Sequence, residues 1–182
     1  MATGTLVSVE EYLHTVYEVD CDYVDGVVEE RNMGEWDHAT VQGSVYAYFH
    51  SRRKQWKLRA VPEVRVQVAP TRFRVPDVAV VLEPGPFTPI LRQPPFICIE
   101  VLSPEDRLAR VWKRIDDFLA FGVPHIWVID AEARCAFTFT ADGLREAKDG
   151  VLRTSNPEIF LPLTEAFADL EPASENPSAE SN

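Results

Sequence analysis

Apolar and polar positions along this chain repeat with two different periods, and the switches between them mark the elements. Apolar residues at three- and four-residue steps, Val41, Val45, Tyr48, Phe49 and Trp56, predict a long helix over 37–56 with Asp37 as its N-cap. A second stripe, Leu108, Val111, Trp112, Ile115, Phe118 and Leu119, predicts a helix over 103–121. Ser103 supplies the capping hydroxyl, Pro104 fits the first helical position, and Glu105 and Asp106 place negative charge in the first turn. Gly122 ends this helix and Pro124 prevents its resumption. Near the N-terminus, Ser8 and Glu11 form a capping box for a short helix over 7–13.

The strand signals are of two kinds. Residues 61–68 alternate apolar and polar, as a half-exposed strand should. Residues 75–82 and 96–102 are nearly continuous apolar runs, which predicts central strands covered on both faces. A third run, His125–Asp130, follows the second helix after a very short loop. Asp25-Gly26 and Asp142-Gly143 lie between strand-like segments and predict tight hairpins over 23–30 and between 135–140 and 144–148. The proline-rich stretch 83–89 reads as a surface loop, and 161–170 as a short amphipathic segment. The tail 171–182, rich in Ser, Pro, Glu and Asn, is expected to be disordered. With no internal repeat or composition break, 1–170 is expected to form a single domain. The alternation of strands and helices predicts an α/β fold, a mixed central sheet with helices on its faces.

Composition narrows the function classes. The formal net charge of −11 argues against a broad electrostatic grip on nucleic acid, though not against a local basic cleft. Arg52, Arg53, Lys54, Lys57 and Arg59 cluster at one helix end, as a solvated terminus or a contact for a DNA backbone. No apolar run is long enough for a membrane span, and the N-terminal residues show no secretory signal. Cys21, Cys98 and Cys135, odd in number and widely spaced, read as free thiols in a reducing, cytoplasmic setting. There is no Gly-rich phosphate loop, zinc helix or nucleophile elbow.

The candidate chemistry lies in the two apolar runs, because each carries one acid: Asp77, directly after Pro76, and Glu100, between Ile99 and Val101. A buried carboxylate is costly unless it is paired, hydrogen-bonded or bound to a metal. Adjacent strands can bring both acids to one point, where they repel unless a hard cation such as Mg²⁺ sits between them. Such an ion can bind a phosphate oxygen, acidify water and stabilise a leaving oxygen, the requirements of phosphodiester hydrolysis. The bland alternative, an acid solvated at a strand end, is stronger for Asp77 than for Glu100, which apolar neighbours surround. Trp112 and Trp127 are expected in the core.

Pro76-Asp77 followed by Glu100-Val101-Leu102, in a strand–strand–helix–strand setting, resembles the PD-(D/E)XK nuclease superfamily. Residues 94–107 and 114–130 are similar to the Uma2 family of restriction-endonuclease-like proteins, with further agreement at Glu11-Tyr12-Leu13, Tyr23-Val24-Asp25-Gly26, His38 and Leu161-Pro162-Leu163. The resemblance implies a restriction-endonuclease-like fold, a DNA substrate, and Asp77 and Glu100 as acids that bind Mg²⁺ or Mn²⁺. The superfamily lysine, two residues after the glutamate, is replaced here by Leu102. The family's basic residue on the following helix falls on Arg114, with Lys113 beside it. At about 100° per residue, Lys113 points away from the apolar stripe while Arg114 and Arg107 flank it, so Arg114 is preferred. An arginine stabilises phosphate charge but is a poor general base, because it stays protonated. His38 is implied as an assisting polar residue. Glu63 is a further candidate, an exposed edge charge being its simpler reading. Leu102 and the net charge favour an alternative: a catalytically degenerate module that binds nucleic acid or protein. A homodimer is compatible with double-strand cleavage, which a two-fold pair of sites achieves simply.

Overall fold

The computed structural model describes residues 6–19, 21–31, 35–85, 87–104 and 108–170. In chain order it contains α1 (Val9–His14), β1 (Cys21–Val24), β2 (Val27–Glu30), α2 (Trp36–Trp56), β3 (Leu58–Pro62), β4 (Val66–Ala69), β5 (Arg72–Arg74), β6 (Val78–Leu82) and β7 (Ile97–Leu102). Then follow α3 (Leu108–Phe121), β8 (His125–Asp130), β9 (Cys135–Thr140), β10 (Gly143–Glu146), β11 (Val151–Arg153), β12 (Phe160–Pro162) and α4 (Leu163–Ala166). The tail 171–182, the expected first-turn acids Glu105 and Asp106, and Arg107 lie outside the described residues.

Six strands form the central sheet in the order β10-β9-β8-β7-β6-β3. β7 and β8 are parallel, joined by α3 as a crossover; the other pairs are antiparallel, so the sheet is mixed. A smaller sheet, β2-β1-β5-β4, and the pair β11-β12 complete the strands.

The continuous apolar runs are explained by burial on both faces. On β6 and β7, Val78, Val80, Ile97, Ile99 and Val101 pack with Val41, Val45 and Phe49 of α2. The alternate residues Ala79 and Cys98 pack with Val111, Ile115 and Phe118 of α3. Period two on a strand therefore puts Glu100 on the α3 side with Cys98. Ser8 caps α1 as predicted, accepting from the Glu11 amide at 3.1 Å. Asp25 (φ 50°) and Gly26 (φ 96°) make the first hairpin turn with both residues left-handed.

Several expectations are corrected. The strand over 61–68 is broken: Glu63 turns the chain with φ 50°, and its halves join different sheets as β3 and β4. α2 starts at Trp36, so Asp37 lies in its first turn; Glu35 is the N-cap and makes no side-chain cap bond. Trp112 is exposed (45%) and rests edge-on against Phe139, whereas Trp127 is fully buried as expected. Segment 161–170 contributes strand β12, paired with β11, before the short helix α4. Among the described residues Cys21, Cys98 and Cys135 form no disulfide. Among the described residues no helix is long and apolar enough to cross a membrane.

Candidate active site

Strand register brings the two acids together. Val78 pairs with Ile99 in the antiparallel β6–β7 ladder, so the preceding residue, Asp77, falls opposite Glu100. Pro76 has no amide hydrogen and cannot extend the ladder, which leaves Asp77 just beyond the start of β6. Its side chain takes over there: Asp77 Oδ2 accepts the Val101 amide at 2.6 Å, next to Glu100. The Asp77 carbonyl accepts from the Glu63 amide at 3.3 Å and from Gln42 Nε2 at 3.1 Å. Gln42 also donates to Glu63 Oε1, so exposed Glu63 touches the surroundings of Asp77 without reaching its carboxylate. Asp77 and Glu100 are 1% and 2% exposed.

Two guanidinium groups and an imidazole surround this pair. Arg31, just after β2, bonds Asp77 Oδ1 through Nη2, which also lies 3.7 Å from Glu100 Oε2. Arg114 of α3 bonds Glu100 Oε2 through its own Nη2, which also donates to the Val75 carbonyl at 3.3 Å. His38, in the first turns of α2, brings Nε2 to 3.4 Å from Asp77 Oδ2. Lys113 is exposed, whereas Arg114 reaches Glu100. Burial favours the neutral form of Asp77, but the Arg31 charge and the His38 contact outweigh it and hold the carboxyl well below the usual range. For Glu100 burial wins: against the pull of Arg114, and with Asp77 adding repulsion, its pKa rises to about 7.

A second ion cluster abuts the first. Buried Arg74 bonds Asp22 at 2.9 Å, Glu29 at 3.2 Å and Asp117 at 2.7 Å, and the other Asp22 oxygen accepts the Val75 amide. Arg114 Nε lies 3.6 Å from Asp22, linking the clusters. A cavity of about 30 Å³ beside the acids is lined by Glu30, Arg31, His38, Ser103, Arg110 and Arg114, among others. It is neither a basic cleft nor a uniformly acidic face. The basic group at 52–59 lies at the opposite end of α2, where Arg52 covers the Tyr48 ring at 3.7 Å and Arg59 the Phe87 ring at 3.9 Å.

The donors suit a hard divalent ion: both are carboxylates, and buried Glu100 Oε1 has no hydrogen-bond partner among the described residues. No third His, Cys, Asp or Glu joins them into a larger metal cluster among those residues. Two carboxylates are nonetheless a common protein contribution to Mg²⁺, which keeps several waters.

A family model described as "Uma2: Putative restriction endonuclease" matches residues 9–171. The chain belongs to the Uma2 family. The Uma2 chain is also similar to a solved structure, titled a putative nuclease, from Anabaena variabilis. The two share 23% identity, covering 89% of this chain and 98% of the other, with a TM-score of 0.75. That likeness establishes the fold, a mixed sheet with flanking helices. No curated protein matches the chain.

Arg31, Asp22 and Gln42 escaped the sequence reading. Arg31 follows two glutamates at the end of a hairpin, where an arginine normally reads as a solvated charge; nothing local shows that it folds onto Asp77. Asp22 is one of several acids in the first 25 residues. Its place in β1 between Cys21 and Tyr23, both buried, was the available signal.

Proposed function

We propose that this Uma2 chain is a divalent-metal-dependent endonuclease that hydrolyses phosphodiester bonds in DNA. The observation that carries the reading is the convergence of Asp77 and Glu100 across the β6–β7 register, both buried, with one Glu100 oxygen unmatched. These acids would hold Mg²⁺ or Mn²⁺. When bound, the ion would polarise the phosphate and activate water for attack. Arg114, already on Glu100, would place a permanent positive charge beside the phosphate, in the role the superfamily gives to the lysine replaced by Leu102. His38 would act as a positioning residue, holding the Asp77 carboxylate in orientation through its 3.4 Å contact. Glu100, with its raised proton affinity, can hold or release a proton near neutral pH. Homodimerisation would supply a second site for the opposite strand.

The experiment is a plasmid-nicking assay with Mg²⁺ or Mn²⁺, paired with calorimetric titration of the same ions, on wild type, Asp77→Ala and Glu100→Ala. Loss of both metal binding and nicking in the variants supports the nuclease reading. Absence of metal binding in the wild type removes it. A second reading, a binding module without cleavage, is favoured by the two guanidiniums that already neutralise both acids. Metal binding without nicking would select it.

A further inference from the structure

We propose that Arg31 is the resident cation of the Asp77–Glu100 centre and that a divalent ion can enter only by displacing it. The inference rests on the reading that these two acids bind a metal. Arg31 Nη2 bonds Asp77 and stands 3.7 Å from Glu100, so it occupies a bridging position between the carboxylates.

Charge counting makes the two cations mutually exclusive. With both acids ionised, as metal ligation requires, Asp77 and Glu100 supply two negative charges, and Arg31 and Arg114 already match them. Adding a divalent ion without losing an arginine would leave two uncompensated positive charges in a site whose side chains are 1–13% exposed. In such a poorly solvated place that excess is prohibitive.

The surroundings decide which arginine leaves. Arg114 keeps Asp22 at 3.6 Å and the Val75 carbonyl at 3.3 Å after its Glu100 contact is shared with an ion. Arg31 has ion-pair partners in Asp77 and Glu100 alone among the described residues, and its buried Nε has no hydrogen bond. Space points the same way. The inner cavity of about 30 Å³ has room for about one water, too little for a hydrated ion with a phosphate. Next to it lies an open cleft of about 810 Å³, and Arg31 lines both. Glu11, Glu29 and Glu30 line that outer cleft and offer carboxylates to a guanidinium swung outward. Its withdrawal would merge the cavities and open the acids to substrate.

The test is calorimetric titration of Mn²⁺ into the wild type, Arg31→Met and Arg31→Lys. Arg31→Met removes the competing cation and is expected to bind the ion at least about tenfold more tightly, while Arg31→Lys stays near the wild type. Equal or weaker binding by Arg31→Met overturns the proposal and leaves the metal site standing. No binding by either the wild type or Arg31→Met overturns both. Should Arg31→Met fail to fold, the wild type still decides. The arginine Nε–Hε NMR signal that is missing in Arg31→Lys is followed during Mg²⁺ titration. Displacement predicts that it loses its protection from solvent exchange at saturation, and a signal unchanged at saturating Mg²⁺ overturns the idea.

Discussion

Two buried ion clusters lie side by side, linked through Asp22, and they differ in how completely their charges are met. Around Arg74 all three guanidinium nitrogens have carboxylate partners, and both Asp22 oxygens are taken, one by Arg74 and one by the Val75 amide. Around Asp77 and Glu100 the pairing is partial: Glu100 Oε1, Arg31 Nε and Arg114 Nε are buried without hydrogen bonds among the described residues. A buried charge network that is fully satisfied fixes structure, whereas one left incomplete is costly to the fold and marks a place where a ligand can supply what is missing. By this contrast the Arg74 cluster holds β1, β5 and α3 together, and its neighbour is the one with donors left unmet, where the proposed metal would bind.

The largest expected effect breaks the structural cluster. Arg74→Met leaves Asp22 and Asp117 without their main cation and should cost about 3–5 kcal/mol, read from urea unfolding. The same measurement on Glu100→Gln should show no loss, because that substitution removes a charge that burial disfavours. A large loss in Glu100→Gln would erase the distinction between the clusters. Next, nicking should separate them in the opposite sense: Glu100→Gln is expected to lower the rate at least about 100-fold, the scale of removing one key electrostatic group.

Acid and base should separate the two carboxylates themselves, measured as melting temperature against pH in the presence of a chelator. Glu100 is raised to about 7 in the fold, so its contribution is fully present below its ordinary carboxylate pKa and lost as pH rises through about 7. Asp77 is lowered, so its contribution is present above its ordinary pKa and lost as pH falls below it. Glu100→Gln should therefore gain on the wild type as pH rises from about 4.5 to 7, the interval between the ordinary and raised values. A pH-independent difference would contradict this assignment. The smallest effect is Gln42→Ala, which removes one hydrogen bond to the Asp77 carbonyl; about 1 kcal/mol is expected from urea midpoints, with nicking reduced less than in Glu100→Gln.

The elements with strong local signals were readable without the structure. The continuous apolar runs at 75–82 and 96–102 became β6 and β7, covered by α2 and α3. The stripe through Val111, Ile115 and Phe118 became the buried face of α3, although Trp112 on the same stripe lies at its rim in solvent. The break at Glu63 was hidden because residues on both sides keep an alternating pattern. The left-handed turn at Glu63, followed by Val64 and Arg65, separates β3 from β4.

The sequence by itself determined which residues could not sit comfortably where they are: an aspartate after a proline, and a glutamate inside an apolar strand, each costly enough to demand a reason. The helical period also separated Arg114, beside the apolar stripe, from Lys113, opposite it, once the family resemblance had pointed to that pair. Tertiary structure decided the rest. The Val78–Ile99 register set Asp77 against Glu100, and the folding of the first hairpin over the sheet end brought Arg31 and Asp22 to them. The reason is physical: hydrophobic period and capping act over a few residues, whereas the Arg31–Asp77 ion pair joins residues 46 positions apart in the chain, whose meeting no local pattern encodes.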